Sequence, residues 1–202
     1  MDLRKRQDSV GFDPAAHYRR PLEFDRQIGF EEDVVITLQW GVREMRIYLA
    51  QHGLAVAEEV DPARPLSAHG RQDVELIARF LDRAGIRVGQ VVHSGKTRAE
   101  QTAVVLARTL MPAAEVRARK GLSPKDPVEP IAEWVDGLTV DTLVVGHLPF
   151  LERLASLLLA GDTGRVAVAF EPGSVACLER DAGKGWSLVW MIRPELLRAA
   201  SA

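Results

Sequence analysis

Three short apolar runs, each stopping abruptly at glycine or histidine and each followed by a segment of helical spacing, constrain the fold of this chain more than any other feature. Met45 opens Arg46-Ile47-Tyr48-Leu49-Ala50, which ends at Gln51-His52-Gly53; Gln90-Val91-Val92 ends at His93-Ser94; Thr142-Leu143-Val144-Val145 ends at Gly146-His147. Apolar runs without polar alternation suit strands buried on both faces, as in a parallel sheet covered by helices. The segments between them supply those helices. Val74, Ile77, Ala78, Leu81 and Ala84 recur at helical spacing before Gly85. Ala99, Thr102, Ala103, Leu106, Ala107 and Leu110 do so before Pro112, and Leu151, Leu154, Leu158 and Leu159 before Gly161.

The C-terminal part reads differently. Apolar runs at Val166–Phe170, Ser174–Leu178 and Trp186–Ile192, with Asp181-Ala182-Gly183-Lys184-Gly185 as a turn, predict antiparallel strands. The Pro-rich, charged connection 112–130 holds a short strand near Glu115–Ala118, and Ile131–Val135 fits one or two helical turns. The alternation predicts an α/β fold: a three-layer α/β/α sandwich around a mixed, mainly parallel sheet. Residues 1–44 are polar and broken by Gly11, Pro14 and Pro21, with only Val34–Leu38 as a short apolar run. They read as an N-terminal extension to a domain spanning 45–194, with a tail at 195–202.

Composition narrows the function. At 202 residues and 47% apolar, the chain suits one sizeable core. A formal charge of −2 gives no global footprint for nucleic acid or an anionic membrane. The four tryptophans lack interleaved basic residues for base stacking. Cys177 is the only cysteine, no apolar run is long enough to cross a bilayer, and no h-region follows the basic N-terminus, so a cytoplasmic location is expected. No metal-ligand spacing links Cys177 to the histidines, and no cofactor is expected.

In layered α/β domains, ligands bind beyond the carboxyl ends of central strands, and His52, Ser94 and His147 all fall at such ends. A lone histidine there is ordinarily a loop or core residue. Here two of them stand beside Gly53 and Gly146, which let backbone approach a ligand. Arg64 and Arg98 fall on the same predicted edge, and guanidinium offers a planar fork for phosphoryl oxygens. The helix starting near Lys96 adds a positive dipole end. A neutral imidazole can attack phosphorus and store the phosphoryl group, while a second, protonated histidine steadies the equatorial oxygens; His52 and His147 suit these roles. His93 reads as structural, His17 and His69 as solvated, and Glu129 and Glu133 as surface carboxylates.

Four segments, Tyr48-Leu49-Ala50-Gln51-His52-Gly53, Arg64-Pro65-Leu66-Ser67 with Gly70, Arg98-Ala99-Glu100-Gln101-Thr102 and Leu143-Val144-Val145-Gly146-His147-Leu148-Pro149, resemble in order and spacing the motifs of the histidine phosphatase superfamily. They are most similar to its short bacterial, SixA-type phosphohistidine phosphatases, and the resemblance spans Met45 to about Pro194. It implies a phosphoglycerate mutase-like fold and His52 as the phosphorylated nucleophile. His147 would be the second pocket histidine, with Gln51, Gly53, Arg64, Arg98 and Leu148 around the phosphate or a sulfate. The implied partner is a phosphohistidine-bearing protein such as a phosphotransfer domain, met in a shallow open groove. The family places arginine directly before the nucleophile, where this chain has Gln51. A neutral donor in place of a charged one loses on the order of 2 kcal/mol of transition-state binding. Two other readings are a phosphatase for small phosphoesters, which needs a leaving-group acid, and a non-catalytic module that binds phosphorylated partners.

Overall fold

The computed structural model describes residues 45–111, 115–165, 168–181 and 185–199. The arm at 1–44, including Val34–Leu38, and residues 182–184 of the C-terminal turn lie outside them. Four mutually parallel strands form one side of the sheet: β1 (Met45–Gln51), β2 (Gln90–His93), β3 (Arg117–Ala118) and β4 (Thr142–Gly146). β5 (Val175–Asp181) pairs antiparallel with β1, and β6 (Gly185–Ile192) with β5, giving one six-stranded sheet in the order β3-β2-β4-β1-β5-β6.

Among the described residues five helices complete the layers: α1 (Ala68–Arg83), α2 (Thr97–Leu110), α3 (Glu129–Asp136), α4 (Phe150–Ala160) and α5 (Pro194–Ala199). Successive strand residues face opposite sides, so Tyr48 and Ala50 of β1 join the core under α1 and α2, while Ile47 and Leu49 join the core under α3 and α4. Both faces of β1 and β4 are therefore apolar, as their unbroken runs predicted. Full burial of each Leu, Ile or Val side chain contributes about 1.5–3 kcal/mol. The three-layer α/β/α arrangement with a mixed sheet is the expected one.

Two readings change. Val166–Phe170 is not a strand over its described part, residues 168–170. Val168 and Phe170 are buried in the core on the α3–α4 side from a loop. Both edges of β5 are already taken by β1 and β6, so no pairing partner is left beside it. The segment read as a tail begins as α5, whose Arg198 guanidinium bonds the buried Asp73 carboxylate on α1.

Register places the chemistry. Gln51 stands opposite Gly146, and His93 opposite Val145, so β1, β4 and β2 end side by side. β4 separates the consecutive strands β1 and β2, and the crevice forms where the connections from the strand ends diverge.

Candidate active site

His52 is the first residue beyond β1 and stays tied to the sheet. Its N–H donates to Gly146 O at 3.1 Å, and Gly173 N–H is shared at 3.2 Å between the Gln51 and His52 carbonyls. The turn after it is tight: a Cβ on Gly53 would lie 2.7 Å from Val74 Cγ2 and 2.9 Å from Gly70 O. The imidazole Nδ1 meets Gly53 O at 2.7 Å, and Nε2 meets Arg98 Nε at 3.1 Å. A carbonyl can only accept and a guanidinium N–H can only donate, so Nδ1 carries the proton and Nε2 presents its lone pair. Burial lowers the His52 pKa to about 4; the Gly53 bond opposes this, while Arg98 and Arg64 add to it. At neutral pH the ring is uncharged, with the Nε2 lone pair as its acceptor.

The His147 ring lies 4.8 Å from that of His52 between centroids, tilted by 57°. Its Nε2 is 2.6 Å from Ser94 Oγ, while its Nδ1 is buried with no hydrogen-bond partner. Burial lowers its pKa to about 3, with His52, Arg98, Lys96 and Arg64 acting in the same direction. The protonated His147 expected from the sequence is therefore replaced by a neutral one, because the ring is buried and its neighbours are already cationic. An incoming phosphoryl dianion opposes those terms by supplying negative charge beside the ring.

Arg98, in the first turn of α2, is the cation in direct contact with His52, and burial beside Arg64 lowers its pKa. Arg64 sits in the β1–α1 loop with φ 48°, a left-handed backbone that few non-glycine residues adopt. Its Nε is buried without a partner, and its Nη1 is 3.9 Å from the exposed Glu58 carboxylate. Lys96 is the exposed N-cap of α2, which has no side-chain cap. Gln51 is 8% exposed, and its Oε1 is buried without a partner. Leu148 packs half-buried against the core on the α3–α4 side. Of the expected set, His52, His147, Arg64 and Arg98 act on one another, with Gln51 and Gly53 at the strand end.

Ser94, Gln101 and Thr102 carry site contacts that the strand and helix periods do not reveal. Gln101 Oε1 accepts Leu66 N–H at 2.7 Å, pinning the loop that carries Arg64 to α2. Thr102 Oγ1 accepts Gly53 N–H at 3.1 Å and donates to Arg98 O at 2.7 Å. Their spacing of three and four from Arg98 puts all three on one helix face, which is the signal the sequence held. Ser67 caps α1 by accepting Gly70 N–H at 3.0 Å. His93 is buried and accepts Gly95 N–H at 3.2 Å, a structural role, whereas His69 is exposed beside Asp73. Glu129 and Glu133 are exposed on α3.

A mixed sheet of this order with two histidines facing across its carboxyl edge, and arginines beside them, defines an α/β site suited to phosphoryl transfer. The chain is 26% identical over 163 residues to the phosphohistidine phosphatase SixA of Escherichia coli (strain K12), across 78% of this chain and 99% of that protein. It is 31% identical over 129 residues to an uncharacterized protein of a Picosynechococcus species, across 59% of this chain and 76% of the other. The solved structure of the protein histidine phosphatase SixA complexed with tungstate superposes with a TM-score of 0.67 at 23% identity, covering 76% of this chain and 99% of that one. No protein-family model matches the chain. The chain belongs to the histidine phosphatase superfamily.

Proposed function

We propose that the protein is a metal-independent phosphatase that hydrolyses protein-bound phosphohistidine through a phospho-His52 intermediate. The observation that carries this reading is the state of His52: Nδ1–H is committed to Gly53 O, and the Nε2 lone pair accepts from Arg98 Nε–H, a bond the guanidinium exchanges for phosphoryl oxygens when substrate enters. Nε2 attacks phosphorus and a new P–N bond forms as the bond to the substrate's imidazole breaks; that imidazole, already protonated on its other nitrogen, takes the P–N electron pair and leaves as the neutral ring. Water then attacks phospho-His52, releasing inorganic phosphate and restoring the Nε2 lone pair. Arg98 and Arg64 hold the transferring oxygens, and His147 faces them from the other side.

Phosphohistidine suits the site because its leaving group is good once protonated, and Glu129 and Glu133, exposed on α3, are not placed to serve as a leaving-group acid. The name of the Escherichia coli relative points the same way. The partner is a phosphohistidine protein such as a phosphotransfer domain, phosphate or sulfate is the small anion for the pocket, and the catalytic domain runs from residue 45 through α5, which packs on α1. Among the described residues no helix is long and apolar enough to cross a membrane, and the expected site of action is the cytoplasm.

The test is incubation with a radiolabelled phosphohistidine protein, an alkaline quench, and comparison of released phosphate and trapped label in wild type and His52→Ala. Release and trapping that both vanish in His52→Ala are expected. Wild type that binds the phosphoprotein and releases nothing overturns the enzymatic reading in favour of a phospho-binding module. Faster turnover of sugar phosphates overturns the substrate assignment.

A further inference from the structure

Four hydrogen bonds close a ring around the catalytic imidazole. His52 Nδ1–H donates to Gly53 O at 2.7 Å, Gly53 N–H donates to Thr102 Oγ1 at 3.1 Å, Thr102 Oγ1–H donates to Arg98 O at 2.7 Å, and Arg98 Nε–H donates to His52 Nε2 at 3.1 Å. Both ring nitrogens are thus held by groups that themselves meet at one hydroxyl. Thr102 is 1% exposed and lies too deep to reach a substrate.

From this ring we infer that Thr102 is a positioning residue: its hydroxyl fixes the Nδ1–H tautomer and the aim of His52 by holding Gly53 and Arg98 together. The inference rests on the reading of His52 as nucleophile. A hydroxyl suits the position because it accepts and donates at once. An aliphatic residue there leaves Gly53 N–H buried without a partner and frees the glycine turn to rotate. The Gly53 carbonyl then loses its fixed alignment with Nδ1, and the Nε2–H tautomer, which has no lone pair at the attacking atom, becomes accessible. Arg98 depends on the hydroxyl less, since its carbonyl lies within a helix. The effect therefore falls on the nucleophile more than on anion affinity.

The experiment compares wild type with Thr102→Val, which keeps the shape and loses the hydroxyl, and Thr102→Ser, which keeps the hydroxyl. Nitrogen-15 NMR at pH 7 reads the His52 tautomer, phosphoramidate supplies turnover, and inorganic phosphate supplies affinity. Wild type and Thr102→Ser are expected to show Nδ1–H. Thr102→Val is expected to show a mixture of tautomers and a kcat lowered roughly ten-fold, the value of one hydrogen bond, with phosphate affinity within about two-fold. Unchanged tautomer or unchanged kcat in a folded Thr102→Val overturns the inference, as does equal loss in Thr102→Ser. Should Thr102→Val not fold, Thr102→Cys, a weak donor and acceptor of similar size, replaces it with the same outcomes. The tautomer measurement needs no substrate, so absent turnover in wild type counts against the phosphatase reading and leaves the role of Thr102 decided by the spectrum.

Discussion

Lowering the pH from 7.5 to 5.5 separates this site from an ordinary pair of histidines. At pH 5.5 an unperturbed imidazole, with a pKa of about 6.5, is only about one tenth neutral. His52, held at about 4 by burial and by Arg98 and Arg64, is then about 97% neutral. The His52 contribution to kcat/KM should stay nearly flat across this range, its acid limb centred near pH 4, with His147 titrating lower still at about 3. Stability responds in the same window. Below pH 6.5 the unfolded chain takes up protons at both histidines while the folded chain does not. Their contribution is thus fully present above pH 6.5 and is lost as pH falls toward 4, by up to about 1.4 kcal/mol per pH unit for each ring. The assay is an NMR titration of His52 and His147, with urea unfolding at pH 7.5, 5.5 and 4.5 for wild type and His147→Gln. A His52 midpoint near 6.5, or no loss of wild-type stability beyond that of His147→Gln between pH 7.5 and 4.5, refutes the argument that burial keeps these rings neutral.

Gln51→Arg places a permanent charge at the end of β1 and should raise kcat roughly ten-fold, short of the ~30-fold that 2 kcal/mol represents, because Arg98, Arg64 and Lys96 already repel a further cation. Turnover that is unchanged while inorganic phosphate still binds contradicts this. Gly70→Ala puts a Cβ 2.1 Å from Leu54 O, against backbone that cannot yield without moving the turn after His52. It should cost about 3 kcal/mol in urea unfolding and reduce turnover as well; a variant of wild-type stability rules out that close approach.

How much of the site was legible depended on range. Strand and helix periods along Arg46–Ala50, Val74–Ala84 and Ala99–Leu110 are local, and the elements form where those periods lie. The motif positions Arg64, Arg98 and His147 were legible because a buried parallel sheet must deliver its strand ends to one edge. Val166–Phe170 misled because an apolar run records burial and not the pairing that makes a strand; Val168 and Phe170 are buried without it.

The sequence by itself determined the alternation of elements, the pair of histidines at strand ends, and the neutral Gln51 where the family has arginine. Only the tertiary structure decided the charge of those histidines, because desolvation and neighbouring cations depend on what packs around each ring, and the same residue types in water would titrate near 6.5. It likewise decided the work of Gln101 and Thr102. Their hydrogen bonds to Leu66 and Gly53 join residues 35 and 49 positions apart, and no local pattern specifies which distant backbone amide a side chain will meet.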